Sequence, residues 1–213
     1  ELVTPITGAF FGGEELLVEW ESEGIQFVGI EYQHSEDGDW YLVEDNIPAL
    51  NNSYNWMVPE IASNKYKVRV FVSGTPSAYD MSTGIIRICL LDLLSPIGGE
   101  EYIVDSITEV RWYSEYVPRL TLEFSADNGN SWTEIVAEIF ASDSIYQWTV
   151  PQIASDSCFL KAYYKGKPQL YRMNETPFSI SWPFDIDENI SNENFGFSLI
   201  PNPVSDILTI DYV

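Results

Sequence analysis

The sequence predicts an all-β protein made of two tandem antiparallel β-sandwiches, each of about seven strands. Three observations lead there. Six of the seven tryptophans form three pairs at one spacing: Trp20, Trp40 and Trp56 are each answered 92 positions later, by Trp112, Trp132 and Trp148. Apolar and polar residues alternate in short runs, the period-two signature of a half-buried strand. No window of about 11 residues or more carries a sustained helical stripe.

The repeat comes first because it sets the organisation. Pro59 and Pro151 obey the same spacing, as do Met81 and Met173, and Ile88 and Ile180. The chain therefore reads as a tandem duplication: sandwich 1 over 1–90 and sandwich 2 over 91–182. In the first copy the strands run in the order LLVEW, FVGIEYQ, DWYLVEDNI, YNWMV, KYKVRVFV and GIIRI, each matched in the second. KYKVRVFV places Tyr66, Val68, Val70 and Val72 on one face and Lys65, Lys67, Arg69 and Phe71 on the other. RLTLEFS does the same with Leu120, Leu122 and Phe124. Trp56 and Trp148 are anchors for the space between two sheets. The proline three residues on has no N–H for a central ladder and marks the strand end. EIAS and QIAS then turn the chain into the next strand, so the repeated phrase reads as architecture.

The 213 residues include 33 Asp and Glu against 10 Lys and Arg, a formal charge of −23. Such a surface repels phosphate backbones and anionic lipids, so neither nucleic acid nor membrane insertion is expected as a partner. The apolar runs are too short to span a bilayer. No basic stretch followed by an apolar one opens the chain, so no signal peptide is expected in it. The two cysteines, Cys89 and Cys158, make no disulfide framework and are expected to be free.

Catalytic and metal chemistry find little support. His34 is the lone histidine, expected exposed in a hairpin beside Ser35, Glu36 and Asp37, with no counterpart in the second copy. One histidine and two distant cysteines give no zinc site. Asp37 and Asp39, and Asp185 and Asp187, are weak calcium candidates. After Asp185 the sixth loop position is Ile190 and the twelfth Gly196, so no EF-hand is present, and both clusters read as solvated turns. No cofactor and no enzymatic activity are expected. SADNGNSW, Ser125 to Trp132, fits the Asp-box pattern but reads as a hairpin staple. Its Asp127 would accept turn amides, with Gly129 at positive φ and Trp132 packing beneath. Tyr163, Tyr164 and Tyr171 lie near Lys165, Lys167 and Arg172 and are the candidate ligand surface, weighed against simple cross-strand pairing.

The second copy runs LLSPIGGEEYIV, ITEVRWYS, LTLEFSADNGNSWTEI, YQWTVPQIASDSCFLKAYY and TPFSI. It resembles the Ig-like, fibronectin-III-like modules of bacterial secreted proteins, similar to the Ser/Thr-rich, GPI-anchored cell-wall family of Ig-like domains. The first copy departs at its start, TPITGAFFGG, and its end, GIIRI. An acidic linker over 183–194 leads to 195–213, where PNPVSDILTI resembles the opening of a type IX secretion system C-terminal sorting domain, known from Bacteroidetes. Pro201, Asn202 and Pro203 carry that likeness, with Ile200 in place of the usual Tyr, and the domain is incomplete. These resemblances imply non-catalytic spacer or adhesion modules of a secreted or cell-surface protein. Their expected partners are a surface ligand, protein or glycan, and the secretion machinery. The alternative is a carbohydrate-binding accessory region of a larger secreted hydrolase.

Overall fold

The computed structural model describes residues 1–36, 38–165 and 167–183. In the first copy, β1 (Leu2–Thr4), β2 (Gly8–Phe11), β3 (Glu15–Trp20), β4 (Phe27–Gln33) and β5 (Tyr41–Pro48) precede a 3-10 turn, Ala49–Asn51. Then come β6 (Ser53–Met57), β7 (Ser63–Val72), β8 (Thr75–Met81) and β9 (Ile86–Ser95). The second copy continues with β10 (Glu101–Ile103), β11 (Ile107–Glu115), β12 (Arg119–Ser125), β13 (Thr133–Phe140), a 3-10 turn at Ala141–Asp143, β14 (Ile145–Thr149), β15 (Ser155–Tyr164), β16 (Lys167–Met173) and β17 (Phe178–Ser181). From β4 to β8 and from β12 to β16 every boundary repeats at the tryptophan spacing.

Each copy is an Ig-like, fibronectin-III-like sandwich. In the first, β1-β3-β6 faces β5-β4-β7-β9, with β2 along β9 and β8 along β7. In the second, β14-β11-β9 faces β13-β12-β15-β17-β10, with β16 along β15. Trp20, Trp56, Trp112 and Trp148 are all buried, as the repeat predicts. Two of them bind the same backbone atom in each copy. Trp20 Nε1 donates to the Ala49 carbonyl at 3.0 Å, and Trp112 Nε1 to the Ala141 carbonyl at 2.7 Å. The indole thus fills the core and satisfies the turn that carries the chain from one sheet to the other.

The repeated phrase has the same explanation. The Ile61 amide donates to the Pro59 carbonyl and the Ile153 amide to the Pro151 carbonyl, both at 2.8 Å. Ser63 Oγ donates to the His34 carbonyl at 2.8 Å, and Ser155 Oγ to that of Ala126 at 2.7 Å. Each serine also accepts an amide two residues on, from Lys65 and from Ser157. The serine of each phrase ties the start of the long strand to the hairpin that ends its neighbour.

The boundary between 1–90 and 91–182 falls inside one continuous strand. The first half of β9 pairs with β2, ending at Phe11↔Cys89. The next residue already pairs with the second sandwich, as Glu115↔Leu90. The pairing Leu93↔Trp112 then reproduces Leu2↔Trp20 of the first copy. The faces switch at the same point. Ile86 and Ile88 enter the first core, whereas Cys89 and Leu91 enter the second. Successive side chains on a strand point oppositely, so the two cores use opposite faces of β9. Phe11 on β2 lies on the second core's side and is buried there.

Both cysteines are buried and free. Burial pushes the Cys89 thiol up to about 11, with nearby Arg87 opposing the shift. Its Sγ lies 3.3 Å from the Tyr116 carbonyl. Phe71, on the outer face of β7, is nonetheless buried because it covers Gly29 of β4: a Cβ there would stand 2.2 Å from the ring. The linker 183–194, apart from Pro183, and the tail 195–213 lie outside the described residues.

Replacing Trp148 by Ala should lower stability by about 3–5 kcal/mol, the range for removing a large buried aromatic. Chemical denaturation measures this, and an unchanged midpoint would contradict the anchor role.

Candidate functional site

The outer face of the β4-β7-β8 ribbon carries a set of side chains built twice. Arg69 on β7 reaches across to Glu31 on β4, with Nε and Nη2 at 2.7 Å and 2.5 Å from one carboxylate oxygen. Its guanidinium lies 4.1 Å from the Trp40 ring centre and 5.0 Å from that of Tyr79 on β8. In the second copy Lys161 bonds Glu123 at 2.7 Å, with its ammonium 4.2 Å from Trp132 and 6.0 Å from Tyr171. Each residue of the second set stands at the tryptophan spacing from its counterpart. The cation neutralises the carboxylate and holds two aromatic rings, covering a sheet face that no other layer of the described residues covers.

Beside the first set lies a groove of 480 Å³, a size suited to a small ligand. Its described lining holds Trp40, Tyr66 and Tyr79, the amides Gln33 and Asn64, Lys65 and Lys67, the acidic Glu36, and the apolar Met81 and Ile85. Period two puts Lys65, Lys67 and Arg69 in a row on the outer face of β7. Lys67 Nζ donates to the carbonyls of Ser82 at 3.2 Å and Gly84 at 3.0 Å. Lys65 pairs with Glu36 at 3.4 Å in an exposed bridge.

The three tyrosines of the second copy do not share one surface. Tyr163 and Tyr171 are directly paired across β15 and β16, on the face of Lys161. Tyr164 packs against the second core instead, with its hydroxyl 3.4 Å from Arg87 Nη1. Arg172 leaves that face as well. It bonds Glu14 of the first copy at 2.7 Å and lies 4.4 Å from the Phe11 ring, so it bridges the two sandwiches.

His34 is half-buried rather than exposed, a correction to the hairpin reading. Its ring stacks on Tyr41 at 5.2 Å and meets Tyr32 and Tyr66. An imidazole can join an aromatic cluster at the strand end because its ring face is apolar enough to stack. Asp39 is exposed, and Asp37, Asp185 and Asp187 lie outside the described residues. Among the described residues no group of three or more His, Cys, Asp or Glu could hold a metal ion.

The Asp-box hairpin is a staple. Asp127 accepts the Ser131 amide at 2.8 Å and the Ser131 hydroxyl at 2.6 Å, and takes the Ser125 hydroxyl at 2.8 Å. Gly129 sits at φ 81°, and Trp132 Nε1 donates to its carbonyl at 3.0 Å. These donors, those of Ser131 foremost, hold the Asp127 carboxyl down at about 2.

The periodicity of β7 exposed the cationic row, but the clamp and the groove escaped the sequence reading. The signal for the clamp was present: Glu31 and Glu123, Arg69 and Lys161, and Tyr79 and Tyr171 all keep the tryptophan spacing.

No family model matches the chain, and no curated protein matches its sequence. Among solved structures, it is similar to the fibronectin(III)-like modules of Clostridium thermocellum CbhA at 11% identity and TM-score 0.28, over 84% of this chain and 90% of that one. DIP-gamma IG1+IG2 gives 9% and 0.31, over 84% and 96%. A chimeric titin Z1Z2-Z1Z2 tandem gives 13% and 0.30, over 85% and 98%. At these scores the likenesses say nothing of function, and the strand order defines the fold.

Two outcomes test the clamp and the hairpin staple. Arg69→Ala strands a half-buried Glu31 and uncovers two rings, and should cost about 1–3 kcal/mol by denaturation. The second concerns pH. The Asp127 pKa is depressed, so its contribution is present above its ordinary value of 3.8 and is lost as pH falls through about 2. Asp127→Asn should therefore melt below the wild type at neutral pH, with the gap closing over that acidic window.

Proposed function

We propose that the chain is a non-catalytic pair of modules serving as a stiff spacer and adhesion element of a secreted or cell-surface protein. The single observation that carries this is β9, which belongs to both sandwiches with no residue free between Cys89 and Leu90. A joint of this kind has no hinge residues to absorb a change in φ and ψ. The buried Phe11, Cys89 and Leu91, with the Arg172 bridge, add packing to the backbone continuity. A stiff joint holds a binding face at a set distance and orientation, the property a spacer needs.

Export is the second part of the proposal. It rests on the sequence of the tail, with Pro201, Asn202 and Pro203 as the element read by a type IX-like exporter. Deleting the region from Phe195 onward in the native host should retain the protein in the periplasm, and normal arrival outside the cell would end that assignment. No helix among the described residues is long and apolar enough to cross a membrane. The groove beside Trp40 favours the other reading, a carbohydrate-binding accessory region of a larger secreted hydrolase.

Stiffness is measured with spin labels on cysteines placed at the exposed, equivalent positions Asn51 and Asp143. The two native thiols are buried and should stay unlabelled. One narrow distance distribution is expected, broadened by a Gly-Ser insertion between Cys89 and Leu90. A broad distribution in the unmodified chain would refute the stiff joint.

A further inference from the structure

We infer that the groove on the outer face of the first sandwich binds a saccharide bearing a carboxylate, of the uronic acid class. The inference rests on the carbohydrate-binding reading that the groove favours and deepens it by naming the ligand class.

The chain itself supplies the comparison. The two copies keep the same clamp of carboxylate, cation and two rings, yet differ where the groove lies. Lys65, Lys67 and Asn64 of the first copy correspond to Ser157, Phe159 and Asp156 of the second. Phe159 is buried at its position, so an aromatic ring takes the place of a lysine that lines open space. Architecture alone does not require the lysines, because the second copy holds the same strands without them.

The lining fits a sugar acid. Trp40 and Tyr79 offer ring surface to the apolar C–H face of a pyranose. Arg69 sets those rings in place before any ligand arrives. Gln33 and Asn64 each carry an amide donor and acceptor able to meet hydroxyls. Lys67 is anchored by two carbonyls and keeps a third N–H for a ligand carboxylate. Among the described residues Lys65 is tied by an exposed bridge to Glu36, itself in the lining, and such a bridge is worth little in water and can be exchanged for a ligand carboxylate.

Two other occupants fit less well. A peptide added as a strand needs an open backbone edge. The groove lies on a sheet face where β4 pairs with β7 and β7 with β8, so the ladder groups there are already committed. A nucleic acid brings a long run of phosphates toward a chain of charge −23. A sugar acid of two or three rings brings only a few charges, and one carboxylate can be set at Lys67 while the rings meet Trp40 and Tyr79.

The test titrates the full chain calorimetrically with an oligogalacturonate, with its neutral methyl ester, and with an oligoglutamate peptide. Binding of the oligogalacturonate is expected, with the ester weaker and the peptide silent. Lys67→Gln should weaken it about tenfold, the loss expected for a charge-assisted bond. The double variant K65S/K67F, which carries the second copy's residues, should abolish it with the circular dichroism spectrum unchanged. If that variant fails to fold, Lys67→Gln decides alone. The inference is overturned by no binding of the oligogalacturonate, by equal binding of the ester, by unchanged affinity in Lys67→Gln, or by a preference for the peptide. Such a failure would leave the spacer reading intact, because the distance distribution across the joint is independent of the groove.

Discussion

The architecture depends on one constraint: a single strand has to complete two sandwiches. Every backbone group buried in a sheet needs a partner, so β9 can serve both copies only if pairing passes from one to the other without a gap. It does so between Cys89 and Leu90. Because side chains alternate across a strand, the handover also exchanges faces, and two adjacent residues, Ile88 and Cys89, are buried in different cores. The position of Phe11 follows, since β2 runs parallel to β9 and shares its two faces. The Arg172 bridge to Glu14 lies on the outside of the same joint.

Around this strand the duplication preserved bonds more faithfully than residues. The amide of Val68 is taken by the Ser82 hydroxyl, and the matching amide of Leu160 by the Asn174 side-chain oxygen. Both acceptors are buried and stand at the gap before the last strand of their copy. The chemistry changed while the donor stayed satisfied, as the cost of an unpaired buried amide would require. The same holds on the outer face. Lys161 replaces Arg69 and still pairs with a glutamate beneath an indole, although an ammonium lacks the planar fork of a guanidinium.

The copies part where no such bond is at stake. Tyr66 corresponds to Cys158, and the ring cluster that runs from buried Tyr66 through Tyr32 and His34 out to exposed Tyr41 gives way to Phe124, Trp148, Phe178 and Tyr102 in the second copy. Tyr66 is a phenol in a core, permitted because its hydroxyl donates to the Ile61 carbonyl at 2.9 Å, and burial raises its pKa. Cys158 fills its place with less volume and a weak donor. On the surface the same freedom produced a groove with lysines in one copy and a buried phenylalanine in the other.

By itself the sequence determined the class of the fold, the duplication and six of the strands in each copy, though not the short strands β1 and β2, the edge strand β8, or the order of strands in the sheets. These follow from local physics: period two specifies a half-buried strand, a proline ends it, and bulky indoles repeat where a core needs them. The Asp-box was legible for the same reason, since all its bonds lie within eight residues of one hairpin. The joint was not. A boundary at 90 is where the repeat divides, but alternation cannot say which neighbour a strand pairs with, or that one strand pairs with two sandwiches. The clamp and the groove were also decided by tertiary structure, because Glu31, Trp40, Arg69 and Tyr79 come from separate strands and a loop. Only the pairing of β4, β7 and β8 brings them onto one face, and only the packed second copy shows Phe159 occupying the matching place.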